Sequence, residues 1–286
     1  MGDGEPTMNP ELNDIIGFAA SKNVYTVITT NATRITEKDI NYWKDHKVYR
    51  VHTSIDAPCK ETYESMRVGA IWEKTLENLK LIGKSGIPLC INTVLTNQNI
   101  SEMVHMVDLA KNVGAREVTY LMPICSYEDD KDIRPADNEV NRVRFRDTLM
   151  ICRDWGIKWA FPLTLNPTWR RFSFPFIRPE ISVEGDLWAC CYSLGRGRNW
   201  VLSRPVDIKP GTYNMGNMFK EGFDKVWRSD AYKELRQVYK DTEIPRGSII
   251  SREEYLKRII EVENRKEKGR FDHCEICPAR WGMACS

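Results

Sequence analysis

The chain has 286 residues, with 42 Lys plus Arg against 40 Asp plus Glu, a formal net charge of +2 and 42% hydrophobic residues. That balance is the balance of a globular protein with a mixed-charge surface, and it excludes recruitment to nucleic acid or to a membrane by net charge alone. No run approaches the ~18 apolar residues of a membrane span, and none has the charged start and apolar core of a signal peptide, which points to the cytoplasm.

In chain order, "MGDGEPTMNPEL" is a turn-rich opening of the kind that leaves the end of a strand. Gly2 and Gly4 free backbone amides there and Glu5 adds a carboxylate, a combination suited to an ammonium group and its neighbouring polar atoms. Asn9-Pro10 reads as a cap and first-turn pair for a helix to about Ser21, with Ile15, Ile16, Phe18 and Ala19 as its buried stripe. "NVYTVITT" (Asn23 to Thr30) is a strand, Thr36 opens a helix to about Asp45, and "VYRVHTSI" (Val48 to Ile55) is the next strand. Trp72, Leu76, Leu79 and Ile82 recur at helical period, with Gly83 and Gly86 as the stop. "PLCINTVL" (Pro88 to Leu95) is a strand. Ser101 is expected to cap a helix carrying Met103, Met106, Val107 and Ala110 on one face, which Gly114 ends. "EVTYLM" (Glu117 to Met122), a helix from Asn138 to Asp154 and "IKWAF" (Ile157 to Phe161) complete the series.

Strands alternating with helices across short joins call for a parallel sheet with right-handed crossovers, either a complete or partial β/α barrel or a doubly wound sheet. Ligands gather at the carboxyl ends of such strands, so the loops to watch start at Asn31, Ile55, Leu95 and Met122. There Asn31, Ser54 and Asp56 offer polar groups; a carboxylate at position 56 suits either a ribose hydroxyl or an ordinary turn. From residue 162 to 215 prolines and aromatics dominate, which reads as a loop-rich second region with a hairpin turning at Glu184-Gly185-Asp186. Helical segments follow at Phe223 to Arg228, Ala231 to Tyr239 and Ser251 to Lys268.

Nine cysteines are present. Cys59, Cys90, Cys125 and Cys152 are isolated, and Cys90 inside a strand pattern reads as plain core. Cys190, Cys191, Cys274, Cys277 and Cys285 are grouped. Cys274-x-x-Cys277 puts two sulfurs on one side of a tight turn, where one metal takes both. Four or five thiols suit a tetrahedral zinc site or an iron-sulfur cluster, and ligand type alone does not separate the two. A disulfide framework fits small secreted chains better than this one. Arg196 to Arg198 and "WRRF" (Trp169 to Phe172) mix arginine with aromatics, which suits phosphate or base contact but, with no wider basic patch, reads as ordinary loop arginines; His52, His105 and His273 are scattered, with His273 either a cluster ligand or a surface histidine.

Taken in order, "GDGEPTMNPEL", "VITTNAT", "VHTSIDAP…YESMRVG" and the tail "ISVEGDLWACC…GNMFKEGFDKVWRSDAYKELR…CEICPARWG" resemble the radical SAM enzymes that carry a C-terminal SPASM domain. The resemblance implies an α/β fold: a partial (β/α) barrel over residues 1–161, then a smaller cysteine-containing SPASM domain over 162–286. It implies that Asp3, Gly4 and Glu5 meet the amino group of S-adenosylmethionine, that Ser54 and Asp56 lie near its ribose, and that Arg67 approaches it. Asn92 and the backbone from Leu121 to Pro123 match strands flanking ribose and adenine. The cofactors implied are S-adenosylmethionine and one auxiliary [4Fe-4S] cluster, held by Cys190 or Cys191 with Cys274, Cys277 and Cys285. The partners implied are a peptide or small-molecule substrate and an electron donor such as flavodoxin or ferredoxin, for radical hydrogen abstraction.

The family's Cys-x-x-x-Cys-x-x-Cys spacing is missing from the nine cysteines. It belongs upstream of the Gly-Gly-Glu motif, so the resemblance implies an N-terminally truncated enzyme with Met1 as an internal methionine. The rival expectation is a non-catalytic protein that keeps an iron-sulfur or zinc site at the grouped cysteines.

Overall fold

The computed structural model describes residues 4–121, 123, 133, 135–136, 138–160, 179–189, 198–201, 204–207, 213–241, 257, 260–262 and 264–265. These residues fall into two compact units, one holding those from 4 to 160 and the other those from 179 onward.

The first unit runs α1 (Leu12–Ser21), β1 (Val27–Thr30), α2 (Glu37–Asp45), β2 (Arg50–Ser54), α3 (Lys60–Met66), α4 (Trp72–Ser85), β3 (Leu89–Val94), α5 (Met103–Val113), β4 (Glu117–Leu121), α6 (Glu139–Asp154) and β5 (Lys158–Ala160). The five strands are all parallel and lie in the order β1-β2-β3-β4-β5. A doubly wound sheet would reverse its order at a switch point; this one does not, so of the two architectures the sequence allowed, the wall of a β/α barrel is the one formed. The helices touch in the same succession, α1 with α2, α2 with α4, α4 with α5 and α5 with α6, and therefore make one layer over one face.

Strand alternation sorts the side chains by face. Ile28, Val51, Leu89, Ile91, Val118 and Tyr120 are buried and, by register, share the helix-covered face. Thr29, Arg50, His52, Ser54, Asn92 and Glu117 occupy the other face and are only partly buried, which leaves a polar surface running along the strands.

Local chemistry explains most boundaries. Thr36 and Asp39 form a reciprocal capping box, with Asp39 N to Thr36 Oγ1 at 3.2 Å and Thr36 N to Asp39 Oδ2 at 3.0 Å. Asn138 caps α6 by accepting from Asn141 N at 2.9 Å. Trp43, fully buried, donates from Nε1 to Asn13 Oδ1 at 3.0 Å and so pins α1 to α2.

Four local expectations change. Asn9 accepts from Glu11 N at 2.9 Å in a turn, and the helix begins three residues later at Leu12. Of its expected stripe only Ile16 is buried, while Ile15 and Phe18 are exposed, because α1 ends the helix layer with α2 as its packing neighbour. Ser101 lies in a 3-10 turn, Ile100–Glu102, and α5 starts without a side-chain cap. Gly83 does not stop α4: it is internal, and a Cβ there would sit 1.7 Å from the Val113 carbonyl oxygen of α5. Glycine lets the two helix backbones touch, and Gly86, at φ +89°, makes the actual stop. Helix α3 was not signalled by the sequence pattern.

The second unit contains the expected hairpin, β6 (Glu180–Ile181) with β7 (Asp186–Trp188), joined on the far side of β7 by β10 (Asn214–Asn217). A further hairpin, β8 (Arg198–Val201) with β9 (Arg204–Asp207), lies in the stretch that composition marked as loop-rich. Leu187, Ala189, Tyr213, Met215, Val226, Tyr232 and Leu235 form its core with the helices Phe223–Trp227 and Asp230–Asp241. Asn217 holds the hairpin turn to the following helix: its Oδ1 accepts from Phe219 N and Lys220 N, both at 3.1 Å, and its Nδ2 donates to Glu184 O at 2.8 Å. Of the last expected helix, Val262 is buried and Ile260 is exposed.

Candidate cofactor site at the strand ends

Glu5 reaches the carboxyl end of β1 and spends its carboxylate there. Oε1 accepts from Thr7 N at 3.2 Å, Thr7 Oγ1 at 2.7 Å and Thr30 Oγ1 at 2.6 Å, while Oε2 accepts from Asn31 N at 2.7 Å. A carboxylate has about four acceptor positions. Three donors crowd Oε1 and Asn31 N holds Oε2, which keeps one further acceptor position, so Glu5 braces its own segment against the end of β1.

The loop it braces is over-determined. Ala32 is fully buried at φ +60°, a left-handed conformation that costs a non-glycine residue about 1 kcal/mol or more. It is held by Ala32 N donating to Thr30 Oγ1 at 3.0 Å and by Asn78 Nδ2 donating to Ala32 O at 2.7 Å. Asn31 Oδ1 accepts from Thr33 N at 3.0 Å and Thr33 Oγ1 at 2.7 Å, so this side chain also shapes the loop.

At the end of β2, Ser54 lies beside Asn92 of β3 in register. Asp56 is 7% exposed, and its two oxygens are divided. Oδ1 accepts from Val94 N at 2.9 Å, and Oδ2 pairs with Arg67 Nη2 at 2.7 Å. These contacts make Asp56 a strand-end staple that orients a cation, and each of its oxygens keeps a further acceptor position. Arg67 caps the carboxyl end of α3, and among the described residues its buried Nε has no hydrogen-bond partner. A buried N–H left unmatched costs about 1–3 kcal/mol and calls for an acceptor. An anionic or hydroxyl-bearing ligand such as S-adenosylmethionine fits that demand, so the residues present suit the group.

Below this rim, His52 Nδ1 and Asn92 Oδ1 are 3.3 Å apart on the polar face. At the amino ends of the strands, Arg50 Nη1 meets Glu117 Oε2 at 3.1 Å, with Cys90 Sγ 3.9 Å from the same oxygen. Burial, and secondarily the Glu117 carboxylate, push the Cys90 thiol up to about 11, which makes it the inert core cysteine that its strand position suggests. The structure thus gathers Gly4, Glu5 and Asn31 at one strand end and Ser54, Asp56, Arg67 and Asn92 at the next two. Sequence reading missed Thr30, Arg50, Glu117 and Asn99. Their only signal was position in or just after a strand.

Cys190, Cys191, Cys274, Cys277 and Cys285 lie outside the described residues, as do Asp3, Met122, Cys125, Trp169 to Phe172, Arg196 and His273. Cys59, Cys90 and Cys152 are free thiols, and among the described residues no group of three or more His, Cys, Asp or Glu is placed to hold a metal. Among those residues no helix is long and apolar enough to cross a membrane.

Comparison with known proteins matches residues 1–134 to the radical SAM superfamily and residues 174–278 to SPASM, an iron-sulfur cluster-binding domain. An AdoMet-dependent heme synthase of Methanosarcina barkeri is 29% identical over 139 residues, covering 48% of this chain and 40% of that protein. The mycofactocin maturase MftC of Mycobacterium tuberculosis is 27% identical over 252 residues, 83% of this chain and 60% of its own. In fold, the chain is similar to Streptococcus suis SuiB bound to the precursor peptide SuiA, with a TM-score of 0.60 at 18% identity, covering 82% of this chain and 54% of SuiB. The chain therefore spans about half the length of these relatives.

Proposed function

Because the chain belongs to the radical SAM superfamily and carries a SPASM domain, we propose that it binds S-adenosylmethionine along the carboxyl ends of β1 to β4 and serves radical hydrogen abstraction on a peptide. The observation that carries this reading is the Asp56–Arg67 pair, fixed by Val94 N and presenting a cation whose buried Nε has no acceptor among the described residues. In it, the Gly4–Glu5 segment takes the amino group of the methionine part through its backbone, Asn31 shapes the loop beside it, and Ser54 and Asn92 face the ribose. In this family the electron that cleaves S-adenosylmethionine to a 5′-deoxyadenosyl radical would come from a cluster on Cys-x-x-x-Cys-x-x-Cys, a spacing that the nine cysteines here do not contain. The residues named here bind and orient the cofactor and do not supply that cluster's ligands.

A peptide substrate is supported by the SuiB complex with its precursor peptide and by a PqqA peptide cyclase from Streptomyces rochei that is 27% identical over 115 residues. The heme synthase relatives support a small-molecule substrate instead. For the second unit we assign one auxiliary [4Fe-4S] cluster to Cys190 or Cys191 with Cys274, Cys277 and Cys285, with a flavodoxin or ferredoxin as electron donor in the cytoplasm. Cys190, Cys191, Cys274 and Cys277 lie inside the SPASM match over residues 174–278, Cys285 is added by cysteine grouping alone, and the electron donor follows from the family resemblance.

The test is titration of S-adenosylmethionine into anaerobically purified protein. Saturable binding that weakens at least tenfold in Arg67→Ala supports the site; equal affinity in both overturns it. The same preparation reports the metal: a brown protein absorbing near ~400 nm holds iron-sulfur, and a colourless one with stoichiometric zinc does not.

A further inference from the structure

Backbone pairing between β2 and β3 ends with Ile55 N donating to Asn92 O at 2.9 Å. Past that point the chain turns away through Ala57 and Pro58, yet the two strand ends stay joined, because side chains take over the ladder. Thr93 Oγ1 donates to Ile55 O at 2.7 Å, and Val94 N donates to Asp56 Oδ1 at 2.9 Å. The last stitch is Asn99. Its Nδ2 donates to both Asp56 O and Val94 O, each at 2.7 Å, and its Oδ1 accepts from Thr96 N at 2.7 Å.

Asn99 is 2% exposed, and its side chain is closed off from solvent. Its amide orientation follows from its partners, since two carbonyl oxygens demand the NH2 group and a backbone N–H demands the oxygen. Aspartate in its place would set a carboxylate oxygen against two carbonyls, and alanine would leave both unmatched. The side chain therefore holds Asp56 from the backbone side while Val94 N holds it from the carboxylate side. Arg67 is bonded to the remaining oxygen of that doubly fixed residue.

We infer that Asn99 is a positioning residue for the cofactor site, acting through Asp56 to fix the guanidinium of Arg67. This rests on the reading that S-adenosylmethionine binds at the strand ends. Asn99 itself contacts no cofactor. Its contribution passes along one route, β3 end to Asp56 to Arg67, and so vanishes when Arg67 is removed.

The experiment is a double-mutant cycle in the whole chain, with Asn99→Ala and the isosteric Asn99→Asp each made with and without Arg67→Ala, read as the dissociation constant of S-adenosylmethionine well below the melting transition. The expected result is about tenfold weaker binding from the Asn99 change in the Arg67 background and less than twofold in the Arg67→Ala background. Equal weakening in both backgrounds, or none in the first, overturns the inference. A second readout needs no ligand: proton exchange at Arg67 Nε by NMR, slow in the wild type and faster in Asn99→Asp. Unaltered exchange overturns the latch itself, whereas a wild type with no saturable binding overturns the site reading and the cofactor role together. If Asn99→Ala does not fold, Asn99→Asp carries both readouts.

Discussion

Replacing Glu5 by glutamine changes one atom and tests the brace at the end of β1. In the wild type, one carboxylate oxygen receives three donors and the other receives Asn31 N at 2.7 Å. Hydroxyls of Thr7 and Thr30 can rotate to accept, but the backbone N–H groups of Thr7 and Asn31 cannot. Whichever way the new amide is turned, its NH2 therefore faces one backbone donor. A hydrogen bond to a charged group contributes about 1.5–3 kcal/mol, and an unmatched donor adds desolvation, so the segment from Gly4 to Met8 should detach more easily by roughly 2–3 kcal/mol. That is on the order of 30- to 150-fold in its local opening equilibrium. The core of the unit lies elsewhere, so the melting temperature should hardly move. Hydrogen exchange at Thr7 and Asn31, with S-adenosylmethionine affinity measured alongside, reads the effect. Exchange unchanged from wild type, or a loss of global stability as large as the local one, would refute the reasoning.

Three further outcomes are expected. Gly83→Ala gains about 1 kcal/mol of helix propensity but places a Cβ 1.7 Å from Val113 O, so packing wins, and urea denaturation should show a net loss of about 1–3 kcal/mol. Gly185→Ala combines a φ of +84° with a Cβ 2.3 Å from the Phe219 ring; the second unit should lose about 1–3 kcal/mol, and metal content in the same preparation tells whether that hairpin positions the grouped cysteines. Burial holds the Cys90 and Cys152 thiols at about 11 in the fold, against an ordinary 9.0. A raised folded value means that the unfolded thiols release protons first. Their contribution to stability is complete below pH 9 and lost as pH rises toward 11. Denaturation midpoints between those limits should fall less steeply once both are replaced by alanine.

The sequence by itself determined the elements and their kind. Alternating apolar residues in "VYRVHTSI" and "EVTYLM", helical periodicity from Trp72 to Ile82, and caps such as Thr36 and Asn138 are local signals, and local hydrogen bonding realises them. It also placed Glu5, Asn31, Ser54 and Asp56 at strand ends, since a loop after a strand is written in the chain itself. What those side chains do there was decided only by tertiary structure. Glu5 is held by Thr30 and Asn31, some 25 residues away, and Asp56 is divided between Val94 and Arg67. Gly83 reads as a helix stop locally and becomes a helix contact only when Val113 arrives against it. Asn99 is divided in the same way: its bonds to Thr96 N and Val94 O close within one turn of chain, whereas the bond to Asp56 O forms only once β2 and β3 have parted at Asp56.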